Sequence, residues 1–361
     1  MTGRPVYVVD GARTPFLKAG NEPGPFTASE LAMRAAQALL NRQPIDPGDL
    51  DEVILGCVNP SAYEANIARV AALRAGIDER VPAFTVQRNC GSGMQALDTA
   101  ARHIAAGRSD LVLAGGVEAM SHAPLLFNDR AVRFFGRLST ARKLPDKLKA
   151  IASFRPAMLK PVIGLLCGLT DHTVGMSMGQ TAEEVAWMFN ITREEMDAFA
   201  VQSHQRLAAA HANGHLEELE PIISNKGTVH DFDEGVRPDS SVEKLAKLRP
   251  VFDRKFGQVT AGNSSQITDG GVWLLLASEE AVKAHKLEVL GRIVDCEWAG
   301  NDPRTMGLGP VHAMTPVMQR NDLSVDKVDY WEINEAFAAQ VIGCIRAWAD
   351  ADYCKNQLGL D

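Results

Sequence analysis

One cysteine of six stands in a setting suited to chemistry. Cys57, Cys167, Cys296, Cys344 and Cys354 lie scattered among apolar or helical stretches, whereas Cys90 lies in Val86-Gln-Arg-Asn-Cys-Gly-Ser-Gly-Met-Gln-Ala-Leu97. That segment joins an apolar strand to an amphipathic helix through a tight turn. Gly91 and Gly93 let the backbone reverse sharply and leave room beside the sulfur. A cysteine at a helix start has backbone N–H groups and the helix dipole nearby, which favour the thiolate. A thiolate so placed can attack a carbonyl and hold an acyl group as a thioester. The other five default to small buried hydrophobes. No C-x-x-C pair and no His/Cys cluster at ligand spacing occurs, so neither disulfides nor a metal is expected.

The elements that must position Cys90 are short aliphatic strands alternating with helices. Val6–Asp10, Val53–Cys57, Ala83–Gln87 and Leu111–Ala114 read as strands, with helices over Ser29–Asn41 and Gly93–Ala106. This alternation predicts α/β layering about a buried sheet. A second alternating region has strands Val272–Ala277, Leu290–Ala299 and Val328–Ile333, and helices Glu279–His285, Val311–Arg320 and Ala336–Ala349. Residues 121–250 carry few strand-like runs and read as a helical excursion, including a helix over Glu194–Asn213 with Thr192 and Glu195 as a capping box. The acidic turn and strand of Asp49–Gly56 are echoed by Ser324–Trp331, which favours duplication of one unit.

Six segments, in order along the chain, resemble those of thiolases, which cleave or form 3-ketoacyl-CoA. They are Ala12-Arg-Thr-Pro-Phe16, Asn89-Cys-Gly-Ser-Gly-Met-Gln-Ala96, Gly115-Gly-Val-Glu-Ala-Met-Ser121, Met178-Gly-Gln-Thr-Ala-Glu-Glu184, Thr260-Ala-Gly-Asn-Ser-Ser265 with Asp269-Gly-Gly271, and Asn334-Glu-Ala-Phe-Ala338. The resemblance implies a layered fold of two similar halves with a helical loop domain inserted in the first. An N-terminal domain would span 1–270, including the inserted loop domain at about 121–250, and an incomplete C-terminal domain would span 271–361. It further implies that Cys90 carries the acyl group and that Asn334 holds an oxyanion-hole water. Ser265 would contact the pantetheine arm of CoA, with Ala261, Met178, Leu169 and Phe337 lining that tunnel. Coenzyme A would be a co-substrate, with no resident cofactor. The activity implied is thiolytic cleavage of 3-ketoacyl-CoA in fatty-acid β-oxidation. Acetoacetyl-CoA synthesis and a catalytically inactive acyl-CoA- or lipid-binding protein are the alternatives.

The match departs from the family after Asn334. A histidine in a Gly-His-Pro turn and a cysteine in a Gly-rich turn are expected there, and neither occurs; His312, Cys344 and Cys354 lie in the wrong contexts to replace them. The chain therefore reads as a C-terminally truncated member, and no catalytic base is assigned. Ser177 stands where short-chain members carry His, compatible with a roomier acyl pocket.

Composition bounds the partners. The net charge is −8, which argues against nucleic acid, and no apolar run is long enough to span a membrane. The start reads as a first strand and not a signal peptide, so a cytoplasmic protein is expected; the thiolase resemblance further implies a homo-oligomer and allows a β-oxidation partner subunit. Against the acidic whole, residues 130–160 hold nine Lys/Arg and one acid, interleaved with Phe134, Phe135, Leu144, Leu148, Ile151 and Phe154. Three readings fit this stretch: a solvated basic face, a surface for CoA phosphates, or a peripheral contact with membrane or partner subunit.

Overall fold

The computed structural model describes residues 3–360. Six strands build its main sheet: β1 (Val6–Arg13), β2 (Glu52–Gly56), β3 (Ala83–Val86), β4 (Leu111–Ala119), β5 (Thr268–Ala277) and β6 (Gly291–Ile293). Their order is β6-β1-β5-β4-β2-β3, with the two-residue strand Leu17–Lys18 also pairing with β5. The β2–β4 and β2–β3 pairs are parallel, while β5 runs antiparallel to both β1 and β4.

Strand alternation explains how this sheet is covered. Val53, Leu55, Leu111, Leu113, Trp273 and Leu275 face one side, where they pack with helices α1 (Ala28–Asn41) and α2 (Ile67–Ala75). Ile54, Val112, Ala114 and Leu276 face the other, beneath Ala96, Ala100 and Ile104 of α3 (Ser92–Ala105). A sheet buried on both faces needs apolar residues at every position, and this is why the four first strands read as continuous aliphatic runs. Trp273 is polar at one atom only, and its indole N–H donates to the Ala32 carbonyl of α1 at 2.8 Å.

The second region departs from expectation. Its first strand is β5, which inserts between β1 and β4 of the main sheet. Only Gly291–Ile293 of the expected strand Leu290–Ala299 is extended and paired, on the outer edge of β1. Val328–Ile333 is irregular, with Tyr330 91% exposed. An apolar run without a neighbouring strand has no partners for its N–H and C=O groups, so the sequence pattern alone does not make it a strand. The helices do form, over Glu279–His285, Gly309–Arg320 and Ala338–Ala349.

The chain divides into two compact units, one built from the segments up to His122 and from Gly179 onward, the other from Ala123–Met178. The helix over Arg193–Ala212 belongs to the larger unit, and its capping box of Thr192 and Glu195 is present. Within the smaller unit, α4 (Asp129–Thr140) starts on Asn128, whose side chain accepts from the Ala131 N–H at 3.1 Å. Phe134 packs edge-on against Phe135 and tilts against Phe154.

The seating of α3 on the sheet requires glycine at Gly56. A Cβ there would lie 2.3 Å from the backbone C and O of Ser92. We expect Gly56→Ala to destabilise the protein by about 1–3 kcal/mol, the usual cost of overpacking. A thermal melt checks this; an unchanged midpoint would mean that α3 can lift off the sheet freely.

Candidate active site

β3 ends at Val86, whose carbonyl accepts the Cys57 N–H at 3.1 Å, and the chain then reverses before α3 begins at Ser92. Two overlapping turns close the reversal, with Gly91 N–H donating to Arg88 O and Ser92 N–H donating to Asn89 O, each at 3.0 Å. The Ser92 hydroxyl donates to Asn89 O at 2.6 Å and accepts the Arg88 N–H at 2.8 Å, bridging both arms of the loop. Asn89 adopts φ +44°, a left-handed conformation that asparagine tolerates better than most residues. The result is an exposed Cys90 at the tip of the turn, immediately ahead of the helix.

The other cysteines are withheld from reaction by their surroundings. Cys57 is buried and its Sγ donates to Glu118, and burial together with that carboxylate pushes its thiol up to about 12. Burial and the nearby Asp98 push Cys296 up to about 11, and burial does the same to Cys344, whose Sγ donates to Gly307 O at 3.3 Å. Cys167 and Cys354 are partly covered. Cys90 alone of the six is exposed.

A second cluster unites the expected CoA-side residues. Ser265 N–H donates to Ala336 O at 2.9 Å and Ala338 N–H donates to Asn263 O at 3.0 Å, while Ser264 and Phe337 form an antiparallel bridge. The loop of Ala261 and Ser265 is thereby zipped to the segment of Asn334 and Phe337. Ala261, Ser265 and Asn334 are exposed, and Phe337 is half-buried, edge-on to Phe252 at 5.9 Å. The remaining pair lies in the smaller unit, where Met178 N–H donates to Leu169 O at 2.9 Å and both side chains are half-buried.

Several residues that support these loops were not singled out from sequence. The Glu118 carboxylate accepts the N–H groups of Val58 and Asn59 at 2.8 and 3.2 Å, and burial raises its pKa above the usual range. Glu183 accepts the N–H groups of Gln258 and Val259, fixing the approach to the Thr260–Ser265 loop. Buried Asn263 accepts the Thr260 N–H and donates to Asp197 at 2.9 Å, and Asp197 pairs with Arg193. Ser121 and Asp269 join at the Ser121 N–H, 2.8 Å. Glu118, Ser121, Glu183, Asn263 and Asp269 all lie inside the six recognised segments, which was the available signal. His312 bonds through Nε2 to the Tyr353 hydroxyl at 2.9 Å, and burial lowers its pKa. An open cavity of about 630 Å³ lies against Phe127, Arg130, Arg133 and Val162, and includes none of the expected site residues. Among the described residues, no group of three or more His, Cys, Asp and Glu is placed to hold a metal ion.

Comparison with known proteins follows the same lines. The family model described as "Thiolase, N-terminal domain" matches residues 6–280, and "Thiolase, C-terminal domain" matches 287–357. The beta-ketoadipyl-CoA thiolase of Pseudomonas knackmussii is 41% identical over 355 residues, covering 97% of this chain and 84% of that protein. The human mitochondrial 3-ketoacyl-CoA thiolase is 39% identical over 360 residues, covering 98% and 85%. The crystal structure of that human enzyme in complex with CoA matches with a TM-score of 0.84 at 36% identity, covering 97% of this chain and 84% of the other. The expectation of a truncated member is not borne out by these matches, since both domain models find their counterparts.

Iodoacetamide near neutral pH should label Cys90 first, ahead of Cys57, Cys296 and Cys344, because it is exposed and they are covered. Peptide mapping after brief exposure reads the order. Faster labelling of Cys57 or Cys296 in folded protein would remove Cys90 from the role of nucleophile.

Proposed function

The chain belongs to the thiolase family and is an acetyl-CoA C-acyltransferase, and from that premise we propose that Cys90 is its acyl-carrying nucleophile and a 3-ketoacyl-CoA of fatty-acid β-oxidation its substrate. The observation that carries this reading is the strand–turn–helix that presents Cys90 exposed at its tip. The Cys90 thiolate attacks the 3-keto carbon and the bond between C2 and C3 breaks. The two-carbon enolate leaves and takes up a proton to become acetyl-CoA. The thiolate of free CoA then attacks the Cys90 thioester, releasing a shortened acyl-CoA and regenerating the thiolate.

Negative charge builds on the thioester oxygen of the departing acetyl unit. We assign its stabilisation to a water held by Asn334, and the oxyanion at the Cys90 thioester to backbone N–H groups of the turn. Ser265 and Ala261 lie beside Asn334 and Phe337 on the zipped loop pair, which suits a path for the pantetheine arm. For Leu169 and Met178 of the smaller unit we retain the assignment to acyl-CoA contact that the family resemblance implies. The human relative was crystallised with CoA, which supports CoA as the co-substrate here. A cytoplasmic homo-oligomer working with a β-oxidation partner subunit belongs to the same proposal.

Peripheral contact with an anionic membrane through residues 130–160 is the further part of this proposal. No helix among the described residues is long and apolar enough to cross a membrane. The smaller unit instead exposes Leu126, Phe127, Val132, Phe135, Leu144 and Leu148 among its nine basic residues. Each cation near an anionic surface contributes about 1 kcal/mol, and apolar side chains between them can insert.

Three measurements test the proposal. Mass spectrometry after incubation with acyl-CoA should find the acyl group on Cys90 and none on a Cys90→Ser variant; binding without any covalent adduct would favour an inactive acyl-CoA-binding protein. Asn334→Ala should retain acylation sites but lower kcat by about 10²–10³, the typical effect of losing an oxyanion-hole donor. For the membrane contact, wild type should co-sediment with phosphatidylserine vesicles at low salt and lose binding as salt shortens the Debye length. Changing Arg133, Arg137, Arg142 and Lys143 to Glu should abolish it; equal sedimentation of both proteins would leave these charges as a solvated face.

A further inference from the structure

We propose that Arg88 and Trp298 form a clamp that holds the Cys90 turn in its reactive shape, making both of them positioning residues for the nucleophile. The inference rests on the reading of Cys90 as nucleophile.

The turn requires such support. Asn89 sits in the left-handed region, and a non-glycine residue there is strained by an amount that persists only where its surroundings over-determine it. The Ser92 hydroxyl supplies one constraint, on the backbone of Arg88 and Asn89. The Arg88 side chain supplies a second, from outside the loop. Its Nε donates to Gln95 Oε1 at 2.7 Å, tying the entry of the turn to the first turns of α3. Its guanidinium carbon stacks 4.2 Å from the centre of the Trp298 ring.

Trp298 is itself fixed. Its indole N–H donates to Asp98 Oδ2 at 2.9 Å, and Asp98, nearly buried on α3, gives its other oxygen to Arg102 at 2.8 Å. The ring also lies against the turn from below: a Cβ on Gly91 would meet it at 3.2 Å. Gly91 directly follows Cys90. The ring therefore contacts the residue after the nucleophile while gripping the residue two before it. A segment from the second half of the sequence thus closes on the turn and is anchored to the helix that the turn begins. Arg88 is exposed, so nothing in its burial requires arginine for folding.

The arrangement has a consequence that an ordinary packing role lacks. Arg88 and Trp298 act as one unit, so losing either releases the same constraint. The test measures the rate of Cys90 alkylation by iodoacetamide, which needs no turnover, and the rate of Cys90 acylation by acetyl-CoA. Variants are Arg88→Gln, Trp298→Leu, the double variant and Arg88→Lys. Each of the first two should slow both rates by about fivefold, the factor that loss of one exposed cation–π contact carries. KM for acetyl-CoA should be unchanged. The double variant should be no slower than the slower single one, whereas independent sites would multiply. Arg88→Lys should recover part of the rate by keeping a cation over the ring. If Trp298→Leu fails to fold by circular dichroism, the Arg88→Gln and Arg88→Lys pair carries the test alone. Unchanged rates in Arg88→Gln, or multiplied effects in the double variant, would overturn the clamp. Failure of wild type to acylate while alkylation still follows the clamp pattern would sink the nucleophile reading and leave the clamp standing.

Discussion

Everything at the candidate site depends on how closely one helix approaches one sheet. The start of α3 rests on β2 and β4 at glycines: Gly56 beneath the Ser92 carbonyl, and Gly116 facing Gly93, where an added Cβ would come within 3.1 Å of the Gly93 Cα. No side chain fits between these backbones. The approach sets the height of the helix start above the strand ends, and so sets where the turn must cross. Once α3 is seated there, the chain leaving β3 at Val86 has only residues 87–91 in which to reach it. The left-handed Asn89 is the local cost of that short path. Cys90 is exposed because the turn has to rise over the strand ends to meet the helix.

Carboxylates then extend this order outward from the sheet. Glu118, at the end of β4, accepts two N–H groups from the loop after β2. Asp233 binds Arg13 through both oxygens and also accepts the Phe16 N–H, joining the end of β1 to a distant loop. Glu183 does the same for the approach to Thr260. A buried carboxylate that accepts backbone N–H groups is satisfied by donors that would otherwise be orphaned, so each one both costs less and fixes a loop. The recognised segments are therefore largely scaffolding around a smaller number of reacting groups. Of Gly115–Ser121, the two glycines allow close packing, Glu118 ties a loop and Ser121 binds Asp269; none of these needs to touch substrate.

This division explains what was legible in the sequence. The first sheet was readable because both its faces are buried, which writes an unbroken aliphatic run into each strand. Cys90 was readable because Gly91 and Gly93 follow it in a tight turn from strand to helix. The later strands were not, because strand formation is a property of pairs: Val328–Ile333 has the apolar pattern but no partner among the described residues. The place of β5 between β1 and β4 was equally invisible, since alternation along a strand carries no record of its neighbours. Trp298 left no local signal at all. Its partners Arg88, Gly91 and Asp98 lie in the first half of the chain, and a contact of that separation is decided by the fold, not by any spacing.

The same reasoning separates the six cysteines more sharply than reactivity alone would. A nucleophilic thiolate must be both formed and reachable, and burial opposes each requirement. Cys57 lies at the end of β2, close in the fold to the site, yet it packs in the core with a carboxylate as its neighbour. Two effects of one sign, desolvation and negative charge, hold its proton on. Cys296 meets the same pair of effects from its burial and Asp98. Asp98 is also the anchor of Trp298, so the carboxylate that keeps Cys296 protonated fixes the ring beneath Gly91. The fold thus silences Cys57 and Cys296 with burial and acidic neighbours, while it leaves Cys90 exposed at the turn. Discrimination among identical thiols here is a matter of where the sheet ends and which thiols the neighbouring elements bury.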